Sequence, residues 1–228
     1  QHADRPIGHV SASTMDAMYA TRLSAEEKDA LQELWASFTG TKKYHNYTKE
    51  IKPHEAAACR YMMKMTANEF MYVNRRSFQV SEAADPEALE FVRFYLQGQS
   101  FLFNQIRKMV GAMVQVFHGK LGPGFVANTH RDNTLQVALS PGDGLLLERV
   151  AYDTYNHLPS TQLPIMIRTV AQKKEVDAYR NVLLSYIAEK EIKHQAFTRW
   201  LCYFDDNKED YYVMQGGGEA QVQAEILN

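Results

Sequence analysis

The stretch that most restricts how this chain can fold is Gly98-Gln-Ser-Phe-Leu-Phe-Asn-Gln-Ile-Arg-Lys-Met-Val-Gly111. A β-like run from Leu89 to Gln97 enters it. A helical pattern leaves it and runs to about Phe117, with Gly119 near the stop. Ser100 is placed as the helix cap, since its hydroxyl can accept from an unpaired N–H of a first turn. On such a helix Arg107 has Phe103, Val110, Gly111 and Val114 as neighbours, so its charge interrupts an apolar stripe. Lys108 instead shares a face with Asn104, Gln105, Ala112 and Gln115, which reads as polar. A buried guanidinium without a partner costs roughly several kcal/mol, so Arg107 must snorkel out or meet an anion. It is the leading candidate for a functional side chain.

The 228 residues, 45% hydrophobic and 23% charged, suffice for one large core or two small ones. A net charge of −2 argues against binding polyanions over the whole surface, but not against a local basic face. Such a face is visible: residues 41–76 carry eight Lys/Arg (42, 43, 49, 52, 60, 64, 75, 76) against three Glu (50, 55, 69), a local charge of 8 − 3 = +5. Two distant cysteines, Cys59 and Cys202, point to a reducing compartment and no metal framework. No run approaches the roughly 18 apolar residues of a membrane-spanning helix. The polar beginning, without an initiator methionine, leads us to expect a piece of a longer protein.

Residues 1–23 show no clear periodicity and read as an irregular lead-in. Ser24-Ala-Glu-Glu27 is a capping box; Leu31, Leu34, Trp35 and Phe38 then recur at helical spacing, with Gly40 as the stop. Trp35 and Phe38 are expected in the core. The loop Gly40–Thr48 interleaves Lys42 and Lys43 with Tyr44, His45 and Tyr47, which suits phosphate contact plus base stacking. The alternative is a solvated loop whose tyrosines pack on the core. Cys59 to Thr66 and Met71 to Val80 read as two strands joined by a hairpin at Asn68-Glu69. Ala88 to Gln97, apolar on both faces, reads as a strand inside the sheet. Phe125 to Thr129 reads as a short helix, Leu135, Val137 and Leu139 alternate, and Leu145 to Tyr152 reads as a strand. Val176 to Phe204 is helical in pattern, and residues 215–228 read as a disordered tail.

Several chemistries lack their residues. His45, His54, Cys59 and His194 fit no metal-ligand spacing, so no metal is expected. Gly122-Pro-Gly124 and Gly216-Gly-Gly218 lack the Lys-Ser/Thr of a phosphate loop, and no Gly-x-Ser-x-Gly occurs. Residues alone therefore give an α+β domain with a basic aromatic loop and one arginine aimed at an anion.

The motifs go further. Gly98 to Gly111 resembles, nearly residue for residue, the late motif of the TruA-type tRNA pseudouridine synthases, in particular their eukaryotic pseudouridylate synthase 1-like branch. Gly40-Thr41 with Tyr44-His-Asn-Tyr-Thr48 resembles that family's Gly-Thr…Phe-His-Asn-Phe-Thr. Ala58-Cys-Arg-Tyr61 and Ser140-Pro-Gly-Asp-Gly-Leu-Leu-Leu-Glu-Arg-Val150 match further segments, the latter against Ala-Pro-Gly-x-Gly-Leu-x-Leu-Glu-x-Val. The resemblance covers roughly residues 24 to 204.

It implies isomerisation of uridine to pseudouridine in RNA, tRNA first, on a nucleotide flipped out of its stack, with no cofactor. By the same resemblance Arg107 pairs with the catalytic aspartate, and Leu145 and Leu146 wall the uracil pocket. Lys42, Lys43, His45 and Lys108 are the expected RNA contacts. The family's Arg-Thr/Ala-Asp motif, with the aspartate, does not occur in these residues. The chain is thus expected to be the C-terminal part of a synthase, inactive alone, whose N-terminal half is its missing partner. The expected fold is an α+β antiparallel or mixed sheet with helices on one face (residues 24–160) plus a helical extension (161–214). An exposed apolar face should mark where the other half docks. The expected location is intracellular, nuclear or mitochondrial, without membrane association. A non-catalytic RNA-binding module is the alternative.

Overall fold

The computed structural model describes residues 10–160, 162, 165 and 170–206. The expected tail at 215–228 lies outside them. The architecture is α+β, organised around one long strand.

That strand, β2 (Cys59–Asn74), pairs antiparallel with β1 (Gly40–Lys43) at one end and with β3 (Val80–Ser81) at the other. β4 (Ala88–Gly98) runs along its other edge. The hairpin expected at Asn68-Glu69 is absent. In its place the β2–β4 register slips by one residue between Thr66 and Glu69, and by another between Met62 and Lys64. An extra residue in one strand moves its following side chains to the other face. β4 is also not interior: among the described residues β2 is its one partner. Within the described residues it is an edge strand, with apolar side chains on both faces because helices cover both faces.

On one face lies the main core. Helix α1 (Ala12–Ala20) precedes α2 (Ala25–Ala36), which starts at the expected capping box: the Ser24 side chain accepts from the Glu27 N–H, and the Ser24 N–H donates to the Glu27 carboxylate. Trp35 and Phe38 are fully buried, and the Trp35 indole N–H donates to the Tyr95 carbonyl at 3.1 Å, which ties α2 to β4. The helix ends at Ala36, with Ser37 as its C-cap; Gly40 (φ +98°) instead opens β1. Val92, Phe94 and Leu96 of β4 face this core, joined by α3 (Gln105–Phe117) and α4 (Phe125–Thr129). The opposite face is used by Leu89 and Phe91, which pack with Val73, with Tyr19 of α1, and with Leu184, Ala188 and Ile192 of α6 (Val170–His194). The helical extension is therefore a second layer on the sheet. Gln195 (φ +54°) breaks it from α7 (Ala196–Asp206), whose Phe197 and Thr198 N–H groups are capped by the buried Glu191 carboxylate at 2.8 Å.

The alternating segments at 135–139 and 145–152 form no strand; a ladder needs a neighbouring edge, and they meet none among the described residues. A four-residue helix, α5 (Asp153–Asn156), follows them. The lead-in, expected to be irregular, holds α1 against β4; Arg22 anchors its end by donating to the Asp85 and Ala88 carbonyls.

Candidate active site

Helix α3 starts four residues later than Ser100 implied. Asn104 takes the cap position in the left-handed region (φ 62°), and Gln105, fully buried, closes the preceding loop by accepting from the Leu102 N–H at 2.8 Å. The polar face read from Asn104, Gln105, Ala112 and Gln115 largely turns inward, since the last three are buried. The Arg107 stripe is the half-exposed one, with Phe103 74% exposed at its end.

Arg107 is held from the segment that follows α4. An added Cβ on Gly111 would lie 2.1 Å from the Ala138 carbonyl oxygen, so only glycine lets that segment cross the helix so closely. One turn back, this approach sets Ser140 against Arg107. The Arg107 Nε–H donates to the Ser140 carbonyl at 2.8 Å, while the Ser140 hydroxyl (2.9 Å) and N–H (3.3 Å) donate to the Arg107 carbonyl. Gly142 lies against the guanidinium; a Cβ there would stand 3.6 Å from Cζ. Among the described residues neither terminal nitrogen of Arg107 has a hydrogen bond, and no carboxylate pairs with it. A planar guanidinium fixed through Nε, with both Nη groups uncommitted, suits a two-point grip on a carboxylate or phosphate.

The turn that follows presents Leu145 and Leu146, 53% and 42% exposed. It is pinned from the other side by α6: Asp143 pairs with Lys190 at 3.1 Å, Glu148 pairs with Arg180, and a Cβ on Gly144 (φ +88°) would touch Ile187. The extension thus braces the segment carrying both leucines. Phe101, Phe103, Tyr61 and Met63 are further exposed apolar side chains, on and beside the 98–104 loop.

The basic aromatic loop is built differently from a stacking platform. Tyr44 and Tyr47 are fully buried; the Tyr44 hydroxyl donates to the Phe38 carbonyl at 2.9 Å, and the Tyr47 hydroxyl bonds the Thr129 hydroxyl at 2.6 Å. Burial pushes both phenols well above their ordinary pKa. His130 sits among these rings, its pKa lowered to about 4 by burial, with its Nδ1 on the Lys43 carbonyl at 2.8 Å. His45 is buried, with Nε2 on the Asn133 carbonyl at 2.8 Å. Lys43 pairs with Asp132, and Lys42 is half-buried. Lys108 points its ammonium at the Asn46 and Thr48 carbonyls (3.2 and 3.4 Å); burial, then nearby Lys49, lowers its pKa. Lys42, Lys43, His45 and Lys108 therefore gather around one loop, on a different face of α3 from Arg107. Arg60 serves its own turn, donating to the Ala57 and Cys59 carbonyls. No cluster of His, Cys, Asp or Glu among the described residues could hold a metal ion.

Comparison with known proteins decides what this arrangement belongs to. A family model described as tRNA pseudouridine synthase matches residues 34–153, just over half of the chain. The chain is a tRNA pseudouridine synthase family member. The human Pseudouridylate synthase 1 homolog is 34% identical over 150 residues, covering 66% of this chain and 32% of that protein. tRNA pseudouridine synthase 1 of Eremothecium gossypii is 26% identical over 187 residues (81% of this chain, 33% of that protein). Its Schizosaccharomyces pombe counterpart is 23% identical over 210 residues (90% and 36%). The chain thus spans about a third of the length of these relatives. The family match takes in the whole sheet, α3, Arg107 and the turn to Leu146; α6, which braces that turn, lies beyond it. Sequence reasoning named Arg107 and the leucines, but missed Ser140 and Gly111 as their support. A signal existed for one: Ser140 stands where the family pattern quoted above has alanine.

Proposed function

We propose that these residues form the C-terminal part of an RNA pseudouridine synthase, acting on tRNA, whose catalytic aspartate comes from an upstream segment of a longer chain. The observation that carries this reading is Arg107, held through Nε by Ser140 with both terminal nitrogens uncommitted. The aspartate's carboxylate fills that two-point site, and the charge-assisted pair fixes its orientation toward C1′ of the target ribose. Three further points support it: family membership, relatives more than twice as long, and the lack of an Arg-Thr-Asp or Arg-Ala-Asp in this sequence.

In the reaction the C1′–N1 bond of a flipped-out uridine breaks, the uracil turns, C1′–C5 forms, the C5 proton leaves to solvent, and N1 takes up a proton. Leu145 and Leu146 wall the base and exclude water. Lys42, Lys43 and Lys108 contact backbone phosphates, with His45 bracing the loop that carries two of them. These residues alone hold no nucleophile and are expected to be inactive. The test is tritium release from C5-labelled uridine in tRNA, by the longer protein and by this chain alone. Release by the longer protein only is the expected result. Release by this chain alone would place the nucleophile within it and overturn the proposal.

A further inference from the structure

Arg107 and Ser140 are joined at both ends. The Ser140 hydroxyl donates to the Arg107 carbonyl at 2.9 Å, and the Ser140 carbonyl accepts from Arg107 Nε at 2.8 Å. The Ser140 N–H donates to the same Arg107 carbonyl at a longer 3.3 Å, so the hydroxyl is the shorter of two bonds that close a ring from the Arg107 backbone through Ser140 to the Arg107 side chain. Ser140 itself is buried, and the close passage of Ala138 over Gly111 fixes its position along the helix. An arginine side chain has several rotatable bonds, and ordering it costs about 2 kcal/mol of rotamer freedom. A ring that sets this order beforehand leaves less to be ordered when the carboxylate arrives.

We infer that Ser140 is a positioning residue: it acts through Arg107, preorganising the guanidinium for the catalytic carboxylate, and its hydroxyl is a latch that the alanine of the family pattern cannot supply. This rests on the proposed role of Arg107. Because Ser140 is buried and bonded to Arg107, its loss is expected in turnover and not in tRNA affinity.

The experiment uses the longer protein with Ser140→Ala, Arg107→Lys, Arg107→Ala and the double variant Ser140→Ala/Arg107→Lys, assayed by C5-tritium release. Ser140→Ala should lower kcat about three- to tenfold, the worth of one net hydrogen bond, with KM for tRNA unchanged. In the Arg107→Lys background, where the Nε–H is gone, Ser140→Ala should cost nothing more; a merely structural role would add its loss in both backgrounds. The Arg107 Nε–H resonance reports the latch without activity: it should exchange more slowly with water in the wild type than in Ser140→Ala, where only the backbone N–H and carbonyl of residue 140 still hold the arginine, at a thermal midpoint lowered by no more than the loss of one hydrogen bond. Wild-type kcat in Ser140→Ala, with Arg107→Ala inactive, overturns the latch and leaves the site reading standing. Activity in Arg107→Ala overturns the site reading itself.

Discussion

Gly111→Ala separates local helix preference from the packing that builds the site. By propensity alone, alanine inside α3 should stabilise by about 1 kcal/mol. The structure reverses the sign. The new methyl carbon would lie 2.1 Å from the Ala138 carbonyl oxygen and 2.8 Å from its carbonyl carbon, both backbone atoms. A C···O contact relaxes at about 3.3–3.6 Å, so the crossing segment must retreat by more than about 1 Å. That retreat breaks the 3.3 Å bond from the Ser140 N–H and stretches the 2.8 Å bond from Arg107 Nε past usefulness. Overpacking costs about 1–3 kcal/mol and two lost bonds about 1 kcal/mol each, so the net loss is about 2–4 kcal/mol. In urea, with a slope near 2 kcal/mol/M, the midpoint should fall by about 1–2 M. A variant that melts later than wild type would refute the reasoning, because then the helix and the segment are not in register-fixing contact.

Other substitutions test the surroundings. Tyr47→Phe removes the 2.6 Å bond to Thr129 and should cost about 1 kcal/mol by urea titration while leaving tRNA retention on filters unchanged, since the ring is fully buried. His130, with a folded pKa of about 4 against an ordinary 6.5, takes up a proton more readily in the unfolded chain. Its stabilisation is complete above pH 6.5 and is lost as pH falls to 4, about 3 kcal/mol in all. Urea midpoints measured from pH 7.5 to 4 should show that decline, and His130→Gln should flatten it. Glu90→Ala should cost about 3 kcal/mol in the same titration at pH 7, because the carboxylate pairs with Lys28 at 2.9 Å and accepts from the Leu23 N–H and the Tyr72 hydroxyl.

What the sequence made legible was whatever depends on near neighbours. The capping box at Ser24 and the burial of Trp35 and Phe38 appear where their residues place them, and a strand followed by a helix carrying Arg107 is present, with the helix start four residues later than Ser100 implied. β2 was misread because each bulge moves the inward positions by one: Met62 faces the main core, then Met65 and Ala67, and after the second slip Phe70, through its partner Val92. Period-two alternation breaks twice, and Asn68-Glu69, read as a turn, is where it breaks. β4 looked interior because apolar residues fill both its faces. The cause is a distant helix, α6, on the second face, which no local pattern announces. The tyrosines of the basic loop failed as a stacking platform for a similar reason: two of their partners, Thr129 and His130, lie far away along the chain. Ser140 carried one local signal, serine where the family pattern has alanine, but its place against Arg107 comes from Gly111 allowing a backbone crossing one turn away.

The most direct test of the account is C5-tritium release from tRNA by the longer protein, with Arg107→Lys and Arg107→Ala measured at saturating tRNA. Removing one member of a desolvated ion pair should slow turnover at least about a hundredfold in both, with tRNA still bound. Lysine should fail like alanine, because it lacks the planar two-point geometry. A folded Arg107→Ala protein turning over within about threefold of wild type would contradict the central claim that this guanidinium holds the catalytic carboxylate.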